Sequence, residues 1–235
     1  MNEIKLSKRL EEVAKEIPQG AKLADIGSDH AYLPCYAVLQ NKITYAIAGE
    51  ITEGPLQSAK SKVNQYGLQE KIEVRKGDGL TVISQGEVDA ITIAGMGGAL
   101  IRDILEAGKT KLEGVTRLIL QPNIGAHNIR EWLIANSWEL IKEKILKEDG
   151  KIYEILVAEK GNPMMPYEIK RENGLFLGPF LMKEKSEVFK EKWTHELKNL
   201  KHIYEQLQNA NETEEASVKR KEIENKIRMV EEVLG

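Results

Sequence analysis

Four short stretches hold the residue types that could do chemistry. They are Asp25-Ile26-Gly27-Ser28-Asp29-His30, Glu50 after Gly49, Gly77-Asp78-Gly79-Leu80, and Gly95-Met96-Gly97-Gly98. Each sets carboxylates or bare backbone directly after an apolar run. Acids there can accept hydrogen bonds from hydroxyls, amino groups or an ammonium, and glycines let a ligand reach the main chain. Singly, each has an ordinary explanation: Asp25 and Asp29 suit helix caps, Glu50 a surface strand end, and Asp78 a common Asp-Gly turn. Their order along the chain points instead to one ligand spread over successive strand ends.

The elements that must position them follow from hydrophobic patterning. Residues 21–26, 43–48, 71–75, 88–94 and 115–120 are short apolar runs that read as buried strands, and 31–40, 54–66, 99–106 and 126–135 between and after them carry helical spacing. Residues 137–147 and 151–160 alternate around Glu148-Asp149-Gly150, the pattern of an antiparallel hairpin. Strand and helix units closed by such a hairpin predict an α/β, Rossmann-like class I methyltransferase sheet, with ligands outside the carboxyl ends of its strands.

A dinucleotide turn needs three glycines, so that backbone can approach a pyrophosphate. Here only Gly27 is present, and Asp29 and Tyr32 occupy the other two positions. S-adenosylmethionine fits better, since it carries an ammonium, a carboxylate, a sulfonium, a ribose and an adenine but no diphosphate. Asp25 or Asp29 could pair with the ammonium, and amides around Gly27 and Ser28 could hold the carboxylate. Glu50 stands about 20 residues past the glycine turn, where an acid accepts from ribose hydroxyls. Asp78 suits the adenine amino group. The Gly95-Met96-Gly97-Gly98 run leaves a cleft open to cofactor and substrate, and it lacks the lysine and hydroxyl of a phosphate-gripping loop. Amides of Gln121 and Asn123 could read a base edge, or Asn123 could simply begin the next helix.

The 235 residues, 41% hydrophobic and 30% charged, are enough for one good core and an appendage. Net charge of -3 gives nucleic acid no independent support. Cys35 cannot form an internal disulfide, the four histidines show no metal spacing, and no apolar stretch is long enough to cross a bilayer. A soluble cytoplasmic chain without a metal or a membrane is expected. An amphipathic first helix carries Ile4, Leu6, Leu10, Val13, Ala14 and Ile17 inward, and its Lys5, Lys8, Arg9 and Lys15 read as a solvated face balanced by acids. The expected organisation is a cofactor domain over 1–160, a Pro- and Gly-rich connector over 161–181, and an antiparallel coiled-coil-like helical domain over 182–235. Phe189, Trp193, Leu197, Leu200, Tyr204 and Leu207 form one seam of that domain, and Ile223, Ile227, Val230 and Leu234 the other. A polar loop at 209–213 joins them.

DIGSDHAYLP, Gly54-Pro55-Leu56, GDGL, IAGMGG with Leu100-Ile101, and LQPN closely resemble the bacterial tRNA (adenine-N1)-methyltransferase family TrmK, over roughly the first two-thirds of the chain. The helical extension is similar in pattern rather than in residues. The resemblance implies methyl transfer from S-adenosylmethionine, leaving S-adenosylhomocysteine, to N1 of the adenine at tRNA position 22. Cofactor contacts are expected at Asp25, Gly27, Ser28, Asp29, Glu50, Ile51, Asp78, Gly79, Ala94, Gly95, Met96 and Gly97. Asp29, His30 and Asn123 are the candidates for catalysis: a carboxylate for the charge that develops on the ring, a proton acceptor and a base-orienting amide. For His30, a role in fixing the turn is equally open. Three other readings remain: a nicotinamide-dependent dehydrogenase, an inert RNA-binding module, and a methyltransferase with another acceptor. The expected partner is tRNA, and the sequence is silent on protein partners.

Overall fold

The structure is a computed structural model that describes residues 4–168, 170–209 and 213–235. The first compact unit runs to Met165 and the second begins at Pro166.

The first unit is a seven-stranded sheet. Its strands are β1 (Ala21–Ile26), β2 (Ile43–Glu50), β3 (Ile72–Lys76), β4 (Ala90–Gly97), β5 (Arg117–Ile124), β6 (Trp138–Glu148) and β7 (Lys151–Lys160). Their spatial order is β3-β2-β1-β4-β5-β7-β6, with β1 to β5 parallel and β7 antiparallel to both its neighbours. This is the mixed sheet expected from the sequence. The order reverses between β1 and β4, and sheets of this kind take ligands outside the carboxyl ends of their strands at such a switch point.

The helices are α1 (Lys8–Glu16), α2 (Tyr32–Leu39), α3 (Glu53–Gln65), α4 (Gly98–Ala107) and α5 (Ala126–Ala135). Strand residues alternate between the two sheet faces. Leu23, Ala46, Ala48, Ile119, Ile155 and Val157 share one apolar cluster with Val13 of α1, Leu33 and Val38 of α2 and Val63 of α3. Ile101 and Leu105 of α4 and Ile129 and Leu133 of α5 are buried outside that cluster, and α4 contacts α5. Ile4 and Leu6 are buried as the spacing requires, but they precede the helix, whose N-cap is Ser7. Arg130 of α5 is fully buried, with its guanidinium on Glu143 of β6 and Glu154 of β7 at 2.7 and 2.6 Å. Such a charge is tolerable in the interior only because it is paired.

The second unit holds α6 (Arg171–Leu177), α7 (Leu181–Glu184), α8 (Glu187–Gln208) and α9 (Glu214–Leu234). Lys201 pairs with Glu231 and Arg220 donates to the Leu207 carbonyl, so α8 and α9 run antiparallel. Phe189, Trp193 and Leu200 of α8 and Ile223, Val230 and Val233 of α9 are buried, and His195 and His202 are exposed. The stretch read as a connector contributes α6, whose Phe176 packs edge-on against Trp193 at 4.9 Å. Residues 210–212 of the polar loop lie outside the described residues.

Candidate functional site

The turn after β1 needs a left-handed residue beside the tip of Met96. Gly27 sits at φ +68°, and a Cβ there would fall 2.2 Å from Cε of Met96. Asp29, His30 and Ala31 follow at φ 43°, 68° and 56°, left-handed conformations that cost an L-residue about 1–2 kcal/mol each. Buried hydrogen bonds hold the turn. The Gly27 and Ser28 N–H groups both donate to the Gly49 carbonyl, at 2.9 and 3.2 Å. Asp25, 4% exposed, accepts from Ser28 Oγ at 2.6 Å and from Thr92 Oγ1 of β4 at 2.5 Å. Burial pushes its carboxyl above the ordinary range, and the two hydroxyls oppose that shift.

Two expectations change as a result. The Gly27 and Ser28 amides are spent on Gly49 rather than open to a ligand carboxylate, and Asp25 braces the turn from beneath. The carboxylate that faces outward is Asp29, with His30 Nε2 3.3 Å from its Oδ1.

Glu50 ends β2 differently. It is 6% exposed, and its Oε1 is buried without a hydrogen-bond partner among the described residues. Burial raises its pKa and the nearby Asp25 and Asp29 charges add to the shift, whereas the Asp29 main-chain N–H and His30 oppose it. A buried bare acceptor is costly unless a donor arrives. Ile51 beside it is exposed. After β3, Asp78 is exposed and precedes a short 3-10 turn, Gly79–Val82, held by Thr81 Oγ1 donating to the Asp78 carbonyl at 2.7 Å.

The apolar runs expected as strands 88–94 and 115–120 stop short of the observed ends, since β4 continues to Gly97 and β5 to Ile124. Gly95-Met96-Gly97 and Gln121-Pro122-Asn123 pair in an irregular ladder, Ala94 with Gln121 and Met96 with Pro122. Bulges of this kind re-aim the chain at a sheet rim. Gln121, wholly buried, accepts the Gly95 N–H on Oε1 at 2.9 Å and donates from Nε2 to the Pro122 carbonyl at 2.9 Å. Asn123 Nδ2 donates to the Gly95 carbonyl at 2.8 Å. Gln121 and Asn123, expected to read a base, therefore grip the Gly95 turn from both sides. Gly98 starts α4 where a Cβ would stand 2.1 Å from the Gly125 carbonyl oxygen, so α4 and the β5–α5 turn meet backbone to backbone.

Two participants went unread in the sequence. Thr92 was visible only as a hydroxyl inside an apolar strand. Arg9 of α1 donates to Gln121 Oε1, and nothing in a charged helix face marks one residue for that contact.

The rim thus gathers Asp25, Asp29 and Glu50: the Asp29 charge adds to the raised pKa of Asp25, and the Asp25 and Asp29 charges add to that of Glu50. Such a basin suits an ammonium and a sulfonium and repels a diphosphate. Among the described residues no group of three or more His, Cys, Asp or Glu could hold a metal ion.

The chain is similar to known proteins over its whole length. The family model described as tRNA (adenine(22)-N(1))-methyltransferase matches residues 23–232. A Bacillus subtilis (strain 168) protein of that description is 59% identical over 235 residues, covering 100% of this chain and 99% of the relative. The crystal structure of the B. subtilis M1A22 tRNA methyltransferase TrmK superposes with a TM-score of 0.97 at 58% identity, covering 99% of this chain and 100% of that one. A Streptococcus pneumoniae protein solved in complex with S-adenosyl-L-methionine superposes with a TM-score of 0.87 at 45% identity, covering 98% of this chain and 100% of that one.

Proposed function

The chain belongs to the tRNA (adenine(22)-N(1))-methyltransferase family, and from that premise we propose how its rim carries a methyl group from S-adenosylmethionine to N1 of an adenine in tRNA. The observation that carries the assignment of the site is the bare Oε1 of Glu50, a buried acceptor where the cofactor's ribose offers hydroxyl donors.

The residues present fit the cofactor. Glu50 takes the ribose, with Ile51 against the ring system, and Asp78 and Gly79 receive the adenine. The turn from Gly27 to Asp29, braced by Asp25 and Ser28, meets the amino-acid end, where the exposed Asp29 carboxylate answers the ammonium. Ala94, Gly95, Met96 and Gly97 supply open backbone beside the reacting centre. When bound, S-adenosylmethionine supplies a methyl group made electrophilic by its sulfonium.

Adenine N1 already has a free lone pair at neutral pH, so the chain needs no strong base to create a nucleophile. Its contribution is alignment, and a rim of bulged, hydrogen-bonded strand ends supplies a fixed frame for it. Pairing hides N1 in a duplex, so the base must be unpaired or extruded, at roughly a few kcal/mol. The methylated ring stays cationic until a proton leaves N6. In this reading Asp29 stabilises that charge and the half-exposed His30 accepts the proton, supported by their 3.3 Å pairing beside the β1 turn. Asn123 acts on the base only through the Gly95 turn it holds. We assign tRNA contact outside the pocket to the helices that follow Pro166, and with tRNA as substrate the setting is the cytoplasm. No helix among the described residues is long and apolar enough to cross a membrane.

Incubation with labelled S-adenosylmethionine and unmodified tRNA, followed by nucleoside analysis, tests this reading. Label is expected in 1-methyladenosine; label in another nucleoside, or none in RNA, would overturn it.

A further inference from the structure

Helix α1 is tied to the antiparallel edge of the sheet along its length. Glu148, at the end of β6, accepts the Lys8 and Arg9 N–H groups at 2.6 and 3.2 Å, and Ser7 caps the same turn. Further along, Glu12 pairs with Lys144, and Glu16 with Lys142 and Lys144. Arg117 of β5 donates to the Glu16 carbonyl at 3.0 Å. These anchors fix where Arg9 points. Its guanidinium lies 5.3 Å from the centre of the Tyr153 ring and donates to Gln121 Oε1, the oxygen that also accepts the Gly95 N–H.

We propose that Arg9 is a positioning residue for methyl transfer, acting through the Gln121 carboxamide to hold the Gly95 turn in the shape that aligns the acceptor base. The inference rests on the reading of this rim as the methyl-transfer site. With two donors converging on Oε1, the carboxamide cannot flip, because its NH2 would then face a guanidinium and an amide N–H. Gln121 is wholly buried, so a lost partner on that oxygen is not simply replaced by bulk water. The carboxamide in turn fixes Gly95 through the same oxygen, and Asn123 grips the Gly95 carbonyl from the other side. Arginine suits the post better than lysine: its guanidinium has several donors, so one can serve Gln121 while the cation lies over the Tyr153 ring.

The test uses the full chain with Arg9→Met, Gln121→Met and the double variant. The readouts are kcat and KM for unmodified tRNA, S-adenosylhomocysteine affinity, and the melting midpoint. Arg9→Met is expected to lower kcat about 10- to 100-fold. KM for tRNA and cofactor affinity should stay within about threefold. Added to Gln121→Met, it should cost less than about threefold more, because both act through one contact. Three results would overturn the proposal: kcat kept within about threefold; a loss confined to KM for tRNA, which would make Arg9 a phosphate contact; or losses that multiply in the double variant. If Gln121→Met does not fold, the division between kcat and KM in Arg9→Met still decides. A wild-type chain that puts no methyl group into tRNA defeats the underlying reading as well, whereas an active wild type matched by Arg9→Met defeats this inference alone.

Discussion

The two halves of the rim solve opposite problems. At β1 and β2 the main chain is tightly bonded beneath the surface, yet one buried carboxylate oxygen, Oε1 of Glu50, is left bare. At β4 and β5 the buried polar side chain Gln121 is fully engaged, and the space is kept open by glycines. The first half stores unmet hydrogen-bonding capacity for a ligand to satisfy. The second stores shape. A methyl transferase needs both, since holding the donor requires specific contacts whereas placing a self-nucleophilic base requires a fixed frame.

Breaking the frame should have the largest effect. Gly98→Ala puts a methyl group against the Gly125 carbonyl, which is backbone and cannot step aside, so a loss of about 1–3 kcal/mol in stability is expected by denaturant titration, together with loss of turnover. Gly97→Ala sharpens the point, because its Cβ would meet nothing within 4 Å. It should melt like the wild type, and any defect should appear only in activity. Equal destabilisation by the two substitutions would contradict the packing argument.

Removing the stored acceptor comes next. Glu50→Ala should weaken S-adenosylhomocysteine binding by about 10- to 100-fold in calorimetry, the worth of a charge-assisted hydrogen bond. Asp25→Asn should do less, about threefold. Its partners are hydroxyls that can turn to donate or accept, so the brace weakens without collapsing.

The smallest predicted effect is on pH. Burial raises Glu50 above its ordinary value of 4.5, so its ionisation opposes folding, and that cost appears as pH climbs through the raised value. Ribose hydroxyls favour the anion. Cofactor affinity of the wild type should therefore fall as pH drops through the raised value, and Glu50→Gln should give a flatter profile. The stability of Glu50→Gln relative to wild type should be greatest near neutrality and decline towards pH 4.5. The opposite slope would mean that Glu50 is stabilised as an anion in the free protein.

The fold was largely legible because its strands are continuous apolar runs: the bounds expected for β1 and β7 are those observed. Where side-chain character stopped reporting on pairing, the reading stopped too. Gly95-Met96-Gly97 and Gln121-Pro122-Asn123 look like loops by composition, but a bulged ladder extends β4 and β5 through them. Proline and glycine around 161–181 likewise hid α6 and α7, which owe their place to contacts such as Phe176 on Trp193. That Asp25, Glu50 and Asp78 stand at or just past the ends of β1, β2 and β3 was legible because apolar runs mark where strands stop. What each then does was not readable. It depends on partners far away in sequence, such as Thr92 beneath Asp25 and Arg9 on Gln121, separated by 67 and 112 residues.

The most direct measurement is a crystal structure of this chain with S-adenosylhomocysteine bound. The account predicts a ribose hydroxyl about 3 Å from Oε1 of Glu50, with the ligand lying along the ends of β1 to β4. A ligand seated elsewhere, or a ribose that leaves that oxygen bare, would contradict it.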